Sequence, residues 1–201
     1  MVSFLSLTNT DAHFEGRPEA VILTAQGFQD HDNICCAYRL RGARMNVRFA
    51  TADGRPVIGK YGTRVPLDNR AEPCLTFDDL DVAKFDVVIA TGGHEAPDRV
   101  RQDARATGFV PEMDAAGKLV AGLCHGPWVQ ASAGILRGRH VAAYPGLRDD
   151  VANAGAIVVD GADVVVDGNL VTGSYYGEAG LFMETLVELI ERRHAGREVA
   201  A

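Results

Sequence analysis

The chain has 201 residues, enough for one sizeable hydrophobic core, and its 47% hydrophobic and 23% charged residues are an ordinary globular balance. A formal net charge of -7 disfavours nucleic acids and anionic membrane surfaces as partners. No apolar run approaches the roughly 20 residues needed to span a bilayer, which argues against a membrane protein.

The N-terminal residues and the cysteines bear on the cellular compartment. Residues 1–19 have no basic start, long apolar stretch or small-residue cleavage site, so we interpret them as an N-terminal extension. The spacing of the four cysteines fits neither a zinc ribbon nor a disulfide framework, and free thiols are typical of a reducing compartment. We therefore expect a cytoplasmic protein.

Short apolar runs alternate with helical patterns along almost the whole chain. Strands are predicted at 20–25, 45–51, 85–93, 118–124, 140–145, 156–160, 163–168 and 170–174, with a small hairpin in the turn-rich stretch 52–68. Helices are predicted at 33–44, 98–109, 127–138 and 178–196. Several strands are continuous apolar runs, which indicates that both faces of the sheet are covered. The pattern predicts one α/β layered domain, residues 20–194, with a mainly parallel sheet and a short tail, residues 195–201.

The closing helix is amphipathic. Its apolar side is predicted to consist of Leu181, Phe182, Thr185, Leu186 and Leu189, which fall on roughly one face. This face is expected to pack on the core.

Cys124 is the first candidate for chemistry. It follows the apolar strand "LVAGL" and is flanked by Gly122 and Gly126, giving the pattern G-x-C-x-G. In some α/β enzymes, a sharp turn between a strand and a helix exposes a nucleophile at the top of the sheet, and the crowded backbone there needs small neighbouring residues. The pattern here is the version of that turn with a thiol as the nucleophile. A helix beginning near Pro127 would direct its positive N-terminal end at Cys124 and favour the reactive thiolate.

His125 and a pair of glycines complete this candidate site. Adjacent residues on a helix point about 100° apart, so the side chain of His125 does not automatically reach the sulfur of Cys124. His125 is either an acid/base group or a residue that only caps the turn. Gly92 and Gly93 end the strand "VVIAT", and ligands bind beyond the carboxyl ends of strands in such sheets. The backbone N–H groups of Gly93 and His125 could stabilise an oxyanion.

Several acidic and histidine side chains in two loops resemble metal ligands at first sight. They are Asp30, His31, Asp32, His94 and Glu95. No metal-ligand spacing supports them, so we interpret them as solvated loop residues. The first strand is followed by no G-x-G-x-x-G, which argues against a dinucleotide site. We expect neither a cofactor nor a metal.

Three stretches together resemble the PfpI family of intracellular cysteine peptidases and amidases, in the ThiJ/PfpI class I glutamine amidotransferase-like superfamily. They are "GLCHGPWVQASAGILRGRHVAAYPGLRDDVANAGAIVVD" (122–160), "ATGGHEAPDRVR" (90–101) and "VVVDGNLVTG" (164–173). The resemblance covers about residues 20–193. It implies a flavodoxin-like three-layer α/β/α sandwich with Cys124 as nucleophile and His125 taking part in catalysis.

The resemblance also implies an assembly. In peptidase members an acidic residue from a neighbouring subunit completes the triad, and the matching position is Asp98, although His94-Glu95 makes this loop one residue longer than the closest pattern. Family members form dimers or hexameric rings, so we expect a homo-oligomer.

Two positions depart from the family. Gln29 stands where the superfamily usually has a glutamate close to the cysteine sulfur, and an amide can donate a hydrogen bond but cannot act as an acid or base. "GSYYGEAG" (173–180) replaces the usual closing motif, and Tyr175 either lines the pocket or packs beside the last strand.

Three functions remain open. The main hypothesis is a cysteine hydrolase that cleaves peptides or small amides through a thioester at Cys124. The alternatives are a glyoxalase or deglycase acting on small dicarbonyls, and a stress-related redox sensor or chaperone with an oxidisable Cys124. The glutamine at position 29 disfavours the dicarbonyl reaction, because relatives are thought to use the glutamate for proton transfer.

Overall fold

Seven strands form the central sheet in the computed structural model of the protein, which describes residues 13–67 and 73–200. The strands of the sheet are β1 (Glu19–Leu23), β2 (Asn46–Thr51), β5 (Leu75–Thr76), β6 (Val87–Ala90), β7 (Leu119–Leu123), β10 (Val164–Asp167) and β11 (Leu170–Gly173). Their order is β10-β11-β7-β6-β1-β2-β5, and every pair except β10–β11 is parallel. The mainly parallel sheet expected from the continuous apolar runs is confirmed.

Two short strand pairs lie outside the central sheet. An antiparallel hairpin joins β3 (Val57–Ile58) to β4 (Arg64–Val65), as predicted for the turn-rich stretch. β8 (His140–Val141) and β9 (Ile157–Val158) pair in parallel.

Helices cover both faces of the sheet. They are α1 (Asp30–Gly42), α2 (Glu95–Arg101), α3 (Ala104–Ala115), α4 (Pro127–Ser132), α5 (Arg148–Asn153) and α6 (Ala179–Ala200). In β1, Ile22 packs into the core cluster that contains α1 and α6, while its neighbour Leu23 packs into the cluster that contains α3, α4 and α5. Successive side chains of a strand point to opposite faces, so the apolar run of β1 fills both cores of a three-layer sandwich.

The predicted helix at 98–109 is two helices. The chain breaks at Gln102–Asp103, because the side chain of Asp103 accepts a hydrogen bond from the backbone N–H of Arg105 and caps the start of α3. The predicted helix at 127–138 ends early, at Ser132.

The prediction for the closing helix is wrong at one position. Leu181 is 46% exposed, whereas Phe182, Met183, Leu186 and Ile190 are buried. Their spacing of three and four residues defines the face that packs against the sheet and α1.

The ends of the chain can be placed in part. Residues 1–12 of the predicted extension lie outside the described residues, whereas Phe14 exchanges two backbone-to-side-chain hydrogen bonds with Asn46 at the start of β2. Residues 195–200 of the predicted tail continue α6. Among the described helices, none combines the length and apolarity that crossing a membrane requires.

The parallel strands bring the candidate residues to one edge of the sheet. Ala90, the last residue of β6, pairs with Leu23 of β1 on one side and Gly122 of β7 on the other. Gly92 and Cys124 follow directly from β6 and β7, and ligand sites of such sheets lie at this carboxyl edge.

We expect Phe182→Ala to lower the free energy of unfolding by about 3–5 kcal/mol, because it removes a fully buried aromatic ring from the core between the sheet and α6. The adjacent Leu181→Ala is the matched control and should change it by about 0.5 kcal/mol or less, as expected of a surface position. Urea denaturation of both variants measures the difference, and equal losses would contradict the assigned buried face.

Candidate active site

Cys124 lies on a sharp turn between β7 and α4. Its φ of 60° is in the left-handed region, which is unfavourable for a residue with a Cβ, and its N–H donates to the carbonyl of Gly173 at 2.9 Å. A Cβ added at Gly126 would lie 2.1 Å from the carbonyl oxygen of Ala90, and one at Gly122 would lie 2.6 Å from the side-chain nitrogen of Gln130. The crowded strand-to-helix turn predicted from G-x-C-x-G is therefore present.

The sulfur of Cys124 is enclosed by hydrogen-bonding groups. His125 Nδ1 lies 3.3 Å from Sγ, so the neighbouring imidazole does reach the thiol. The backbone N–H groups of His125 and Gly93 also interact with the sulfur and favour its ionised form. With Cys124 only 4% exposed, these contacts enclose the sulfur.

Burial opposes the activated thiolate that the sequence predicts. Burial, and next the charge of Asp32, raise the pKa of Cys124 to about 12, which outweighs the two backbone N–H groups and the charge of Lys60. Burial, and next the charges of Lys60 and His94, lower the pKa of His125 to about 4. Both side chains are therefore neutral at pH 7, because burial disfavours their charged forms.

Gly92 and Gly93 allow the loop after β6 to meet the turn at Cys124. A Cβ at Gly93, whose φ is 86°, would lie 2.6 Å from the backbone nitrogen of Gln29. A Cβ at Gly92 would lie 2.5 Å from Asp32 Oδ2 and 2.7 Å from Cys124 Cβ. No side chain fits at either position without moving part of the candidate site.

The interpretation of Asp30 and Asp32 as solvated loop residues is wrong. Both are buried in the first turn of α1. The carboxylate of Asp30 accepts from the backbone N–H groups of Tyr61 at 2.9 Å and Thr63 at 2.8 Å, and so fixes the loop of the β3–β4 hairpin. Asp32 Oδ2 accepts from the N–H of Gly92 at 2.8 Å.

His31, His94 and Glu95 stay nearer the solvent. His31 and His94 are exposed and Glu95 is half-buried, and His94 Nδ1 lies 3.0 Å from Lys60 Nζ. Within residues 13–67 and 73–200, no group of three or more His, Cys, Asp or Glu side chains is arranged to hold a metal ion.

Gln29 is buried between the sheet edge and the surface. Its backbone N–H donates to the carbonyl of Gly92 at 3.0 Å, and its side-chain nitrogen lies 3.2 Å from His31 Nδ1. The amide of Gln29 is thus engaged by a histidine of the same turn.

Tyrosine and histidine rings form an aromatic rim next to His125, consisting of His31, Tyr144, Tyr175 and Tyr176. Tyr175 stacks on Tyr144 at 5.9 Å and contacts Tyr176 at 4.1 Å, and His31 stacks on Tyr176 at 5.4 Å. Tyr144 contacts the ring of His125 at 4.6 Å. Tyr175 is 38% exposed, so it does not pack in the core.

Asp98 lies on the outer face of α2. Its carboxylate is hydrogen-bonded by Arg101 Nε at 2.9 Å and Gln102 Nε2 at 3.0 Å. Arg101 lies 4.9 Å above the ring of Trp128, which in turn contacts His125 edge-on at 5.3 Å. Asp98 therefore belongs to a surface cluster beside the site, and its own helix holds its carboxylate.

Comparison with known proteins identifies the family. The sequence profile of the DJ-1/PfpI family matches residues 18–189. The chain belongs to the DJ-1/PfpI family. It is 38% identical over 173 residues to the protein named Deglycase PH1704 of Pyrococcus horikoshii, covering 86% of this chain and 99% of that protein. It is 35% identical over 150 residues to Protein/nucleic acid deglycase 2 of Escherichia coli, covering 74% of this chain and 82% of that protein.

A solved structure of the same family agrees with the fold. Drosophila melanogaster DJ-1beta superposes with a TM-score of 0.77 at 25% identity, covering 92% of this chain and 99% of that one. The resemblance to the PfpI family and the flavodoxin-like sandwich are thereby confirmed.

Sequence reasoning missed the placement of Asp32 and Lys60 at the site. The signal for Asp32 was its spacing of four and eight residues from Cys36 and Leu40, both buried on the inner face of α1. Lys60 had no comparable signal, because its position depends on the hydrogen bonds of the hairpin to the loop after β1, such as that from Lys60 N to the carbonyl of Phe28.

We expect the rate of alkylation of Cys124 to keep rising above pH 10, because the thiolate is the reactive form and burial with the charge of Asp32 raises the pKa of this thiol. A free cysteine derivative, with a pKa of about 8.5, is the reference and should level off near pH 9–10. Site-resolved mass spectrometry after timed iodoacetamide treatment measures the profile. An inflection for Cys124 at or below that of the reference would contradict this assignment.

Proposed function

We propose that this protein is a thiol-dependent enzyme that converts small α-oxoaldehydes, or their adducts with amines, to 2-hydroxy acids. The names of two relatives, Deglycase PH1704 and Protein/nucleic acid deglycase 2, support this activity. They favour the dicarbonyl alternative of the sequence hypotheses over the peptidase hypothesis.

The observation that carries this proposal is the enclosed thiol. Cys124 is 4% exposed, and the aromatic rim contacts the neighbouring ring of His125 through Tyr144. A peptidase must accept an extended chain on both sides of the scissile carbonyl, whereas an aldehyde carbon is the end of its molecule. The low exposure of Cys124 therefore favours a small terminal carbonyl group over an extended chain.

The chemistry begins with addition. The thiol sulfur forms a bond to the aldehyde carbon, C1, and its proton and the C=O electron pair give a hydroxyl group on C1. From an amine adduct, the same sulfur–carbon bond forms as the carbon–nitrogen bond breaks and the amine leaves with a proton. Both routes give one hemithioacetal.

The second half moves a proton from carbon to carbon. A base removes the proton from C1, the electron pair moves to form an enediol, and C2 is then protonated while the C1 hydroxyl loses its proton to give a thioester. Water hydrolyses the thioester, which releases the 2-hydroxy acid and restores the thiol. The net reaction adds one water and needs no oxidant or reductant.

His125 and two backbone N–H groups have defined tasks in this scheme. Because both Cys124 and His125 are neutral at pH 7, the proton leaves sulfur as the sulfur–carbon bond forms, and His125 Nδ1 at 3.3 Å accepts it. The N–H groups of His125 and Gly93 then stabilise negative charge at the reacting centre.

The redox-sensor alternative has less support. Sensor thiols are exposed and have a low pKa, and burial gives Cys124 the opposite properties.

We expect the wild-type protein to form D- or L-lactate from methylglyoxal, and Cys124→Ser to lower kcat by at least about 1,000-fold, as loss of a nucleophile does. Cys35→Ser, which alters a half-buried thiol on α1, is the matched control and should retain activity. Chiral chromatography of the product measures both. A wild-type protein that forms no lactate, or equal turnover in Cys124→Ser, would refute the proposed reaction.

We also propose that a homo-oligomer, a dimer or a hexamer, is the active form and that Asp98 serves the site of a neighbouring copy. The outward position of Asp98 beside Arg101 and Trp128 supports this arrangement, since the cluster lies next to His125 at the surface. An acidic group from a second copy could orient His125 there.

We expect Asp98→Asn to lower kcat about 100-fold, the low end for a group that assists acid–base catalysis, without changing the fold. The control, Glu112→Gln on the exposed side of α3, should leave kcat unchanged. Activity of mixtures of Asp98→Asn with Cys124→Ser decides the geometry, because a site shared between copies regains turnover in a mixed oligomer. Mixtures without regained turnover, or a protein that sediments as a monomer, would contradict the shared site.

We propose the cytoplasm as the location. All four cysteines are unpaired, which supports a reducing compartment. The names of the relatives give no compartment.

A further inference from the structure

The aromatic rim continues to the thiol at one end and to the β3–β4 hairpin at the other. Tyr144 contacts the ring of His125 at 4.6 Å, and His125 Nδ1 lies 3.3 Å from the sulfur of Cys124. At the far end, His31 contacts Tyr61 of the hairpin edge-on at 5.9 Å. Rings from widely separated segments of the chain therefore form an unbroken series that begins beside the candidate nucleophile.

The rings of this series are open to solvent although they contact one another. Tyr61 is 73% exposed, Tyr175 38% and Tyr176 37%, and His31 is exposed as well. Single exposed apolar side chains are ordinary, whereas a contiguous group of them marks a surface that binds a ligand or a partner. Aromatic pairs prefer offset-stacked or edge-to-face contacts with centroids about 4.5–7 Å apart, so the open faces and edges suit one more ring.

Tyr175 connects the exposed rings to the sulfur. It stacks on Tyr144 at 5.9 Å and contacts Tyr176 at 4.1 Å. A hydrogen bond to Tyr176, and then burial and the charges of Tyr176, Tyr144 and Cys124, raise the pKa of Tyr175 to about 12. Because the charge of Cys124 acts on this phenol, the Tyr175 ring belongs to the surroundings of any substrate bonded to that sulfur.

The two positions at which the sequence departs from its family meet in this rim. Gln29 Nε2 lies 3.2 Å from His31 Nδ1, and the ring of His31 stacks on Tyr176 at 5.4 Å with 22° between the planes. The amide nitrogen of Gln29 only donates, so Nδ1 accepts this hydrogen bond and the ring is held against Tyr176. An ionised glutamate has no hydrogen to donate there. Gln29 and the two adjacent tyrosines are therefore parts of one structure.

The charges near the rim favour an uncharged ring as its occupant. Lys60 precedes Tyr61 on the hairpin, and burial followed by the charge of Lys60 lowers the pKa of His125. The same positive charge opposes a cationic group, such as a guanidinium or an ammonium, beside the rings. The net charge of -7 opposes polyanions. An uncharged planar ring avoids both penalties and gains the aromatic contacts.

We propose that the aromatic rim is a subsite for a planar, uncharged ring attached to C2 of the α-oxoaldehyde, with Tyr175 as the residue that determines this preference. The inference rests on the proposed conversion of α-oxoaldehydes to 2-hydroxy acids and adds no chemical step to it. C1 of an arylglyoxal is bonded to Cys124 Sγ while its ring stacks on the rim, and the product is the aryl-substituted 2-hydroxy acid. Arylglyoxals are then better substrates than alkylglyoxals of the same size.

Phenylglyoxal and cyclohexylglyoxal test this preference, because both carry a six-membered carbon ring and only the first ring is planar and aromatic. The wild-type protein should have a KM for phenylglyoxal about 2- to 12-fold lower, the factor that corresponds to one aromatic pair. The preference is expected in KM and not in kcat, because stacking acts on the bound substrate and the transition state alike. Chromatography of mandelate and hexahydromandelate in initial-rate assays measures both constants.

Three variants separate the ring of Tyr175 from its hydroxyl group and its bulk. Tyr175→Leu keeps an apolar side chain without a ring, so it should lower the preference for phenylglyoxal by the same factor of about 2 to 12. Tyr175→Phe keeps the ring and should retain the wild-type ratio of KM values. Tyr38→Leu, on α1 and outside the rim, is the matched control and should leave both KM values unchanged. Comparing each variant with wild type on both substrates cancels the intrinsic difference in their reactivity.

A binding measurement on the wild-type protein keeps this test separate from the proposed reaction. Acetophenone and cyclohexyl methyl ketone carry the same two rings but have no aldehyde carbon. Acetophenone should bind about 2- to 12-fold more tightly in a ligand-observed NMR titration. Equal dissociation constants, or an unchanged ratio of KM values in Tyr175→Leu, overturn the ring subsite. Absence of lactate from the wild-type protein overturns the proposed function instead, and the two ketones then still decide whether the rim binds a ring.

Discussion

The close approach of three chain segments at Gly92 is the constraint on which the site depends. The end of β6, the turn at Cys124 and the first turn of α1 meet where a Cβ would lie 2.5 Å from Asp32 and 2.7 Å from Cys124. Only a bare Cα leaves room there for a carboxyl group and a thiol together. The sharp turn at Cys124 depends in the same way on Gly126, whose Cα faces the carbonyl of Ala90.

Burial at this meeting point decides which groups carry protons. Low solvent access favours the neutral forms of Cys124 and His125, so the site holds a thiol and a neutral imidazole at pH 7. Under the proposed function, nucleophilic attack is coupled to proton transfer, and the 3.3 Å between Cys124 Sγ and His125 Nδ1 makes that possible.

The outer part of the site consists of different groups from its buried base, which we call the floor. The floor consists of backbone and buried polar groups, whereas the aromatic rim stacks ring on ring above it and is partly open to solvent. Asp30 ties the β3–β4 hairpin to α1 and thereby places Lys60 and its charge beside His94. Under the proposed function, the rim and the hairpin would select among substrates, because a side chain at Gly92 or Gly93 would displace other parts of the site.

The sequence by itself determined the layered α/β fold, the parallel sheet and the crowded turn at Cys124. Apolar runs such as "AVIL" and "LVAGL" indicate strands that are buried on both faces of the sheet. The pattern G-x-C-x-G indicates a crowded turn that needs small residues on both sides of the cysteine, and this requirement lies within five residues. Such signals can be read because their cause lies within one strand or one turn. The face of α6 was misjudged at Leu181, since several apolar positions competed and only packing against α1 chose among them.

The tertiary structure alone decided the electrostatics of the site. Asp32 is separated from Cys124 by 92 positions along the chain. The two side chains nevertheless both lie next to the Cα of Gly92, because parallel strands end at a common edge of the sheet. The same folding step removed the thiol from water, and burial with the charge of Asp32 raises the pKa of Cys124. The free energy of a charge depends on every group within several ångströms, and that neighbourhood exists only after distant segments have packed together.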